Sequence, residues 1–125
     1  MIKIIFCLRR LPHLSVAAFQ DYWLNTHAPL VKSVAHHLNM AHYVQSHAFS
    51  DPRVQPALDA RGTQIAPYDG VAEIYWRSME DLLAVGQNPE ARRAGRLLLE
   101  DEKRFIDLPN SPIFYAETHE IIPLA

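Results

Sequence analysis

An α+β domain is the fold class that the sequence predicts: a four-stranded antiparallel sheet with helices packed on one face. Three observations predict it. Four β-branched and aromatic runs lie near residues 2–9, 40–49, 70–76 and 113–122. Two stretches with helical periodicity separate the first run from the second and the third from the fourth. The 125 residues, 49% hydrophobic and 21% charged, suit one globular domain spanning 1–125.

Ile2 to Arg9 reads as the first strand, and Pro12 stops it. Ser15 is a plausible N-cap. Val16, Phe19, Trp23 and His27 then recur on one helical face. Pro29 disfavours helical geometry at Ala28, so a helix end or kink is expected near His27, with further turns over Leu30 to Leu38. Met40 to Phe49 alternates as a second strand. Ser50 to Asp69 carries Pro52, Pro56, Gly62 and Pro67 and reads as a long loop, with room for one helical turn over Asp51 to Ala60. A loop of this length is more often functional than idle. Gly70 to Trp76 is the third strand. Ser78 caps a short helix, with Asp81 three residues on. Asn88 and Pro89 form an N-cap and N1 pair for a helix through Arg104, whose apolar stripe is Ala91, Ala94, Leu98 and Phe105. Pro109 and Pro112 fence a loop, and Ile113 to Ile122 is the fourth strand. The order β-α-β-β-α-β is the ferredoxin-like arrangement.

Twelve basic against fourteen acidic residues leave a net charge of −2. No basic excess invites nucleic acid or an anionic membrane surface. The one cysteine, Cys7, excludes an intrachain disulfide and a CxxC motif and fits a reducing, cytoplasmic setting. The N-terminal apolar run, Ile4 to Leu8, is broken by Arg9 and Arg10, too short for a signal peptide or a membrane span.

Helices on one face leave the other face of the sheet in need of a cover. Val71, Glu73 and Tyr75 alternate along the third strand. Ile113, Tyr115, Glu117, His119 and Ile121 do so along the fourth. A face that is half polar and half aromatic suits a wet pocket between two sheets. A homodimer closed into an eight-stranded α+β barrel is therefore expected.

Phe19-Gln20-Asp21-Tyr22-Trp23-Leu24-Asn25-Thr26-His27-Ala28-Pro29-Leu30 resembles the F-x-x-Y-W-x-x-x-H-A-P-L signature of the EthD family, named for ethyl tert-butyl ether degradation. Tyr43-Val44-Gln45, Asp69-Gly70-Val71-Ala72-Glu73, Asp101-Glu102 and Phe105-Ile106-Asp107 follow in the family's order. The resemblance covers essentially the whole chain. It implies a dimeric α+β barrel with a lumen for a small organic ligand. It also implies kinship with cofactor-free decarboxylases and dehydratases of polyhydroxylated aromatics, and more widely with monooxygenases, lactone isomerases and haem enzymes.

Among seven histidines, His27 and His119 are the candidate catalytic bases. His27 sits at a helix end on the face of Phe19 and Trp23; the alternative is a structural imidazole that fixes the turn before Pro29. His119 lies about 7 Å along a strand from Glu117, which could hold one tautomer; the alternative is a solvent-facing strand end. Asp69, beside Gly70, either opens a turn or serves as a catalytic carboxylate. Tyr43, Gln45 and His47 share a strand face. If that face is the lumen, they could orient a hydroxyaromatic substrate or stabilise an enolate. Met40, Val44 and Ala48 would then pack under the helices, and a slip of one residue would exchange the two sets. Glu73 needs a partner or water within an apolar strand. Trp23, Tyr43, Tyr75 and Tyr115 would shape the pocket, with Glu73 and Glu117 lining it. His36 and His37 diverge by about 100° on a helix, and no HxxxH or HExxH spacing occurs. No metal and no cofactor is expected, and haem has no attachment motif. Cys7 reads as inert packing.

The leading expectation is a small cofactor-independent enzyme that moves a proton on an oxygenated hydrophobic ring compound, by dehydration, decarboxylation, isomerisation or similar chemistry. The alternative is a non-catalytic binding or accessory protein with the same pocket.

Overall fold

The computed structural model describes residues 1–125. Its strands are β1 (Ile2–Leu8), β2 (His42–His47), β3 (Gly70–Trp76) and β4 (Ile113–Glu117). The helices are α1 (Val16–Tyr22), α2 (Ala28–Val34), α3 (Gln55–Asp59), α4 (Met79–Ala84) and α5 (Pro89–Glu102). The sheet order is β2-β3-β1-β4, and every neighbouring pair is antiparallel. This is the ferredoxin-like α+β fold. The helix starts fall where the capping chemistry placed them. Ser15 accepts from the Ala18 N–H, Ser78 from Asp81 and Asn88 from Glu90.

Pro29 does not end the first helix. A π turn, Trp23–His27, joins α1 to α2 without a break. A proline lacks an N–H, and its ring clashes with the carbonyl four residues back, here that of Asn25. Widening the turn relieves this: the Ala28 N–H bonds back five residues to the Trp23 carbonyl. Trp23 and His27, the ends of the turn, are both buried.

Two apolar clusters form the core. Phe6, Leu8, Ala72, Phe19, Trp23, Phe105 and Ile106 tie β1, β3 and the first helix to the segment after α5. Val31, Leu38, Ala91, Ala94 and Leu98 join α2 to α5, so the stripe read from the sequence is the buried face of α5. Phe19 packs on Trp23 and on Phe105 with ring centroids 5.6 Å apart in each pair. Gly70 is required by close approach. A Cβ there would lie 2.4 Å from the Trp23 ring and 2.7 Å from the Ser46 carbonyl oxygen. Gly70→Ala is therefore expected to cost about 1–3 kcal/mol by overpacking. Denaturant unfolding measures this, and an unchanged midpoint would refute the close contact.

Three sequence expectations need correction. Tyr43, Gln45 and His47 pair across β3 with Ile74, Ala72 and Gly70, so they share the helix-covered face of Ala72 and Trp76. His42, Val44 and Ser46 take the open face instead. The strand is mixed on both faces, so hydrophobic alternation did not fix its side; the network that Gln45 makes beneath the π turn did. Second, β4 ends at Glu117, and His119 lies beyond it, exposed. Third, Tyr115 and Glu117 pair with Ile4 and Ile2 and so stand on the helix side at an uncovered edge, opposite to Glu73 and Tyr75. Cys7 also faces the open side, paired with Val71.

Candidate active site

The site grows from the π turn. His27 is 5% exposed, and its Nδ1 lies 2.7 Å from Asp101 Oδ2. Asp101 closes the last turn of α5 and is 7% exposed. Its other oxygen, Oδ1, accepts from the Tyr22 hydroxyl at 2.6 Å. A carboxylate accepts only, so His27 donates through Nδ1–H and presents Nε2 as the basic atom. The imidazole ring also packs on Phe105, with centroids 5.0 Å apart. Burial pushes the His27 pKa below its ordinary 6.5, against the opposing pull of Asp101. The ring is thereby held neutral, as a base must be.

Glu102 is the next residue along α5. Burial, aided by the charge of Asp101, pushes its pKa up to about 7. A substantial fraction therefore stays protonated near neutral pH and can donate that proton. His27, Glu102, Trp23 and Tyr43 line one small cavity of about 30 Å³ between sheet and helices, with Phe6 and Val31 among its apolar walls. An outer groove of about 370 Å³ between α2 and β2 shares Val31, Met40 and Tyr43 with that cavity. Met40, unbranched and pliable, is the side chain in this wall best able to move aside.

The structure thus brings His27, Trp23 and Tyr43 together. Gln45 and His47 join them by hydrogen bonds: Gln45 donates to the Tyr43 hydroxyl at 2.9 Å, and His47 Nε2 lies 2.8 Å from Gln45 Oε1. The cavity belongs to one chain and lies on the opposite side of the sheet from the expected barrel lumen. Glu73 and Tyr75 are on the open face, where Glu73 Oε2 binds Lys3 Nζ at 2.6 Å and accepts from Tyr75 at 2.8 Å. The partner that Glu73 finds within the chain is a neighbour in its own sheet, and Lys3 holds its carboxyl below the ordinary value. Asp69 pairs with Arg10 at 2.6 Å and accepts from the Arg10 backbone N–H at 2.8 Å, pinning the end of the long loop to the end of β1. It is not among the residues that line the cavity. No group of three or more His, Cys, Asp or Glu side chains is arranged to hold a metal ion.

Sequence reading missed Asp101, Glu102 and Tyr22 as site residues. One signal was available. Asp101 continues the buried stripe of Ala91, Ala94 and Leu98, and an acid at a core position of an amphipathic helix needs a partner.

Fold and site define a ferredoxin-like domain in which a buried histidine–carboxylate pair and a glutamate of raised pKa meet at one internal cavity. Residues 11–109 match the EthD domain, and the chain belongs to the EthD family. The conidial pigment biosynthesis dehydratase EthD of Metarhizium robertsii is 29% identical over 104 residues, 82% of this chain and 71% of that protein. The dehydratase ustZ of Ustilaginoidea virens is 28% identical over 104 residues, 82% of this chain and 72% of that protein. Among solved structures, an ethyl tert-butyl ether degradation family protein of Bacillus halodurans aligns with a TM-score of 0.61 and 19% identity, covering 95% of this chain and 99% of its own. That likeness speaks for the fold. No helix is long and apolar enough to cross a membrane.

Proposed function

We propose that this protein is a dehydratase that eliminates water from an oxygenated ring compound by proton transfers among its own side chains. One observation carries the reading: a neutral histidine backed by a carboxylate faces the same cavity as a glutamic acid that titrates near 7. The names of the two fungal relatives support it. His27 Nε2 takes the proton from the carbon next to a ring carbonyl, and Asp101 stabilises the imidazolium. The freed electron pair forms the new C=C bond as the β-hydroxyl departs. Glu102 gives that hydroxyl its proton, so water leaves. Transfer of the proton from His27 back to Glu102, directly or through solvent, resets the site. Substrate enters from the groove between α2 and β2 as Met40 yields.

The test is a panel of cyclic β-hydroxyketones incubated with the protein. The expected result is loss of 18 Da, with an absorbance rise from the new conjugation. A wild-type protein that neither dehydrates any of them nor exchanges their α-hydrogen in D₂O would overturn the reading.

The open sheet face carries Ile5, Cys7, Val44, Val71 and Tyr75 around the Lys3–Glu73 pair, and no helix covers it. A second copy laid sheet to sheet would cover it, and we infer a homodimer on that ground. Native mass spectrometry is expected to give twice 14.3 kDa. Val44→Lys, which buries a charge in the inferred interface, is expected to shift the mass to a monomer. A monomeric wild type at micromolar concentration would refute the dimer. The single free cysteine suits action in a reducing cytoplasm.

A further inference from the structure

We propose that Tyr43 donates a hydrogen bond to the substrate's carbonyl oxygen, aimed there by a directional chain from His47 through Gln45. This deepens the dehydratase reading and rests on it. The direction of every bond follows from one acceptor. The Trp23 carbonyl can only accept, and it takes the Ala28 N–H and Gln45 Nε2, the latter at 3.0 Å. The amide NH₂ of Gln45 is therefore fixed on that side. Its second N–H goes to the Tyr43 hydroxyl at 2.9 Å. Its oxygen is left facing His47 Nε2 at 2.8 Å, so His47 donates through Nε2–H. His47 is itself held flat on the Trp23 indole, with ring centroids 4.3 Å apart and planes 26° off parallel. Trp23 in turn rests on Gly70.

The Tyr43 oxygen thus receives a hydrogen bond from Gln45, and no protein acceptor takes its own proton. That proton is free for the cavity that His27 and Glu102 also face. Burial pushes the Tyr43 pKa up, which keeps the phenol protonated. As the α-proton leaves, negative charge builds on the carbonyl oxygen. A preoriented donor in a site shielded from water stabilises that charge more than it stabilises the ground state.

The probe is 4-nitrophenol, whose phenolate absorbs in the visible and mimics an enolate oxygen. Bound to the wild type, it is expected to ionise at lower pH than in water, by about tenfold in its ionisation constant. Tyr43→Phe is expected to abolish that change and to lower kcat/KM for dehydration by about 10²- to 10³-fold. Gln45→Leu keeps the phenol but removes the hydrogen bond that orients it, and is expected to lose most of the same change. Thermal unfolding confirms that each variant is folded. A wild type that leaves the ionisation of 4-nitrophenol unaltered, or a folded Tyr43→Phe variant that retains the change, overturns the assignment. A tenfold change that vanishes in Tyr43→Phe, in a protein that dehydrates none of the ketones, would sink the dehydratase reading and leave the donor standing.

Discussion

Replacing His27 with alanine is expected to lower kcat/KM for water elimination by about 10²- to 10⁴-fold, the range for losing a positioned general base. Exchange of the substrate α-hydrogen with D₂O should fall in parallel, because that exchange reports the same proton abstraction. Asp101→Asn is expected to fall in the same range for a different reason. The amide keeps the shape of the carboxylate but carries no charge, so it no longer stabilises the imidazolium, and its NH₂ can face Nδ1 and favour the tautomer whose Nε2 is not basic. Tyr22→Phe removes only the hydrogen bond that holds Asp101 Oδ1 and should cost less than either. Removing His27 leaves Asp101 Oδ2 without its partner, at about 1–3 kcal/mol of stability, so the assay belongs well below the unfolding temperature. A His27→Ala variant that is folded and retains full α-hydrogen exchange would remove His27 from the chemistry.

The element order was legible because its signals are local. Caps at Ser15, Ser78 and Asn88, the apolar stripe of α5 and the breaks at Pro12 and Pro109 need no knowledge of distant contacts. His27 and Trp23 stood out for the same reason, as neighbours on one helical face. The site as a whole was less legible. The partner of His27 lies 74 positions away, and the raised pKa of Glu102 comes only from burial beside Asp101. The side of β2 was unreadable for a physical reason: Tyr43, Gln45 and His47 are polar residues on the covered face, hydrogen-bonded to one another and to the Trp23 carbonyl. Polarity usually marks the solvent side, and here it marks a hydrogen-bonded seam beneath the helices. The strand expected through His119 failed differently. Continued alternation past Glu117 looks like strand, yet pairing with β1 ends at Ile2, so no partner remains for it.

Glu102→Gln separates function from stability most sharply, because the two are expected to move in opposite directions. In the wild type, kcat/KM should rise with pH as His27 loses its proton, at a value below 6.5, and fall as Glu102 ionises at about 7. Glutamine cannot donate as an acid, so the variant should lose about 10²- to 10⁴-fold in rate, and the alkaline fall should vanish. Stability follows by linkage. The folded chain holds the Glu102 proton to about 7, whereas an unfolded glutamate gives it up near 4.5. Between those values the native state binds more protons, so this group lowers stability as pH rises. The gap sets a ceiling of about 3 kcal/mol. His27 acts on the other side. Its folded pKa is depressed, so the stability it allows is complete above 6.5 and is lost as pH falls through that value toward its folded pKa. Glu102→Gln removes only the alkaline penalty. At pH 9 the variant is expected to be more stable than the wild type by about 1–3 kcal/mol, while near pH 4 the two converge. Denaturant melts at both pH values measure the difference. Equal stability at pH 9 would mean that Glu102 is ionised without cost, and such a glutamate could not be the acid that releases water.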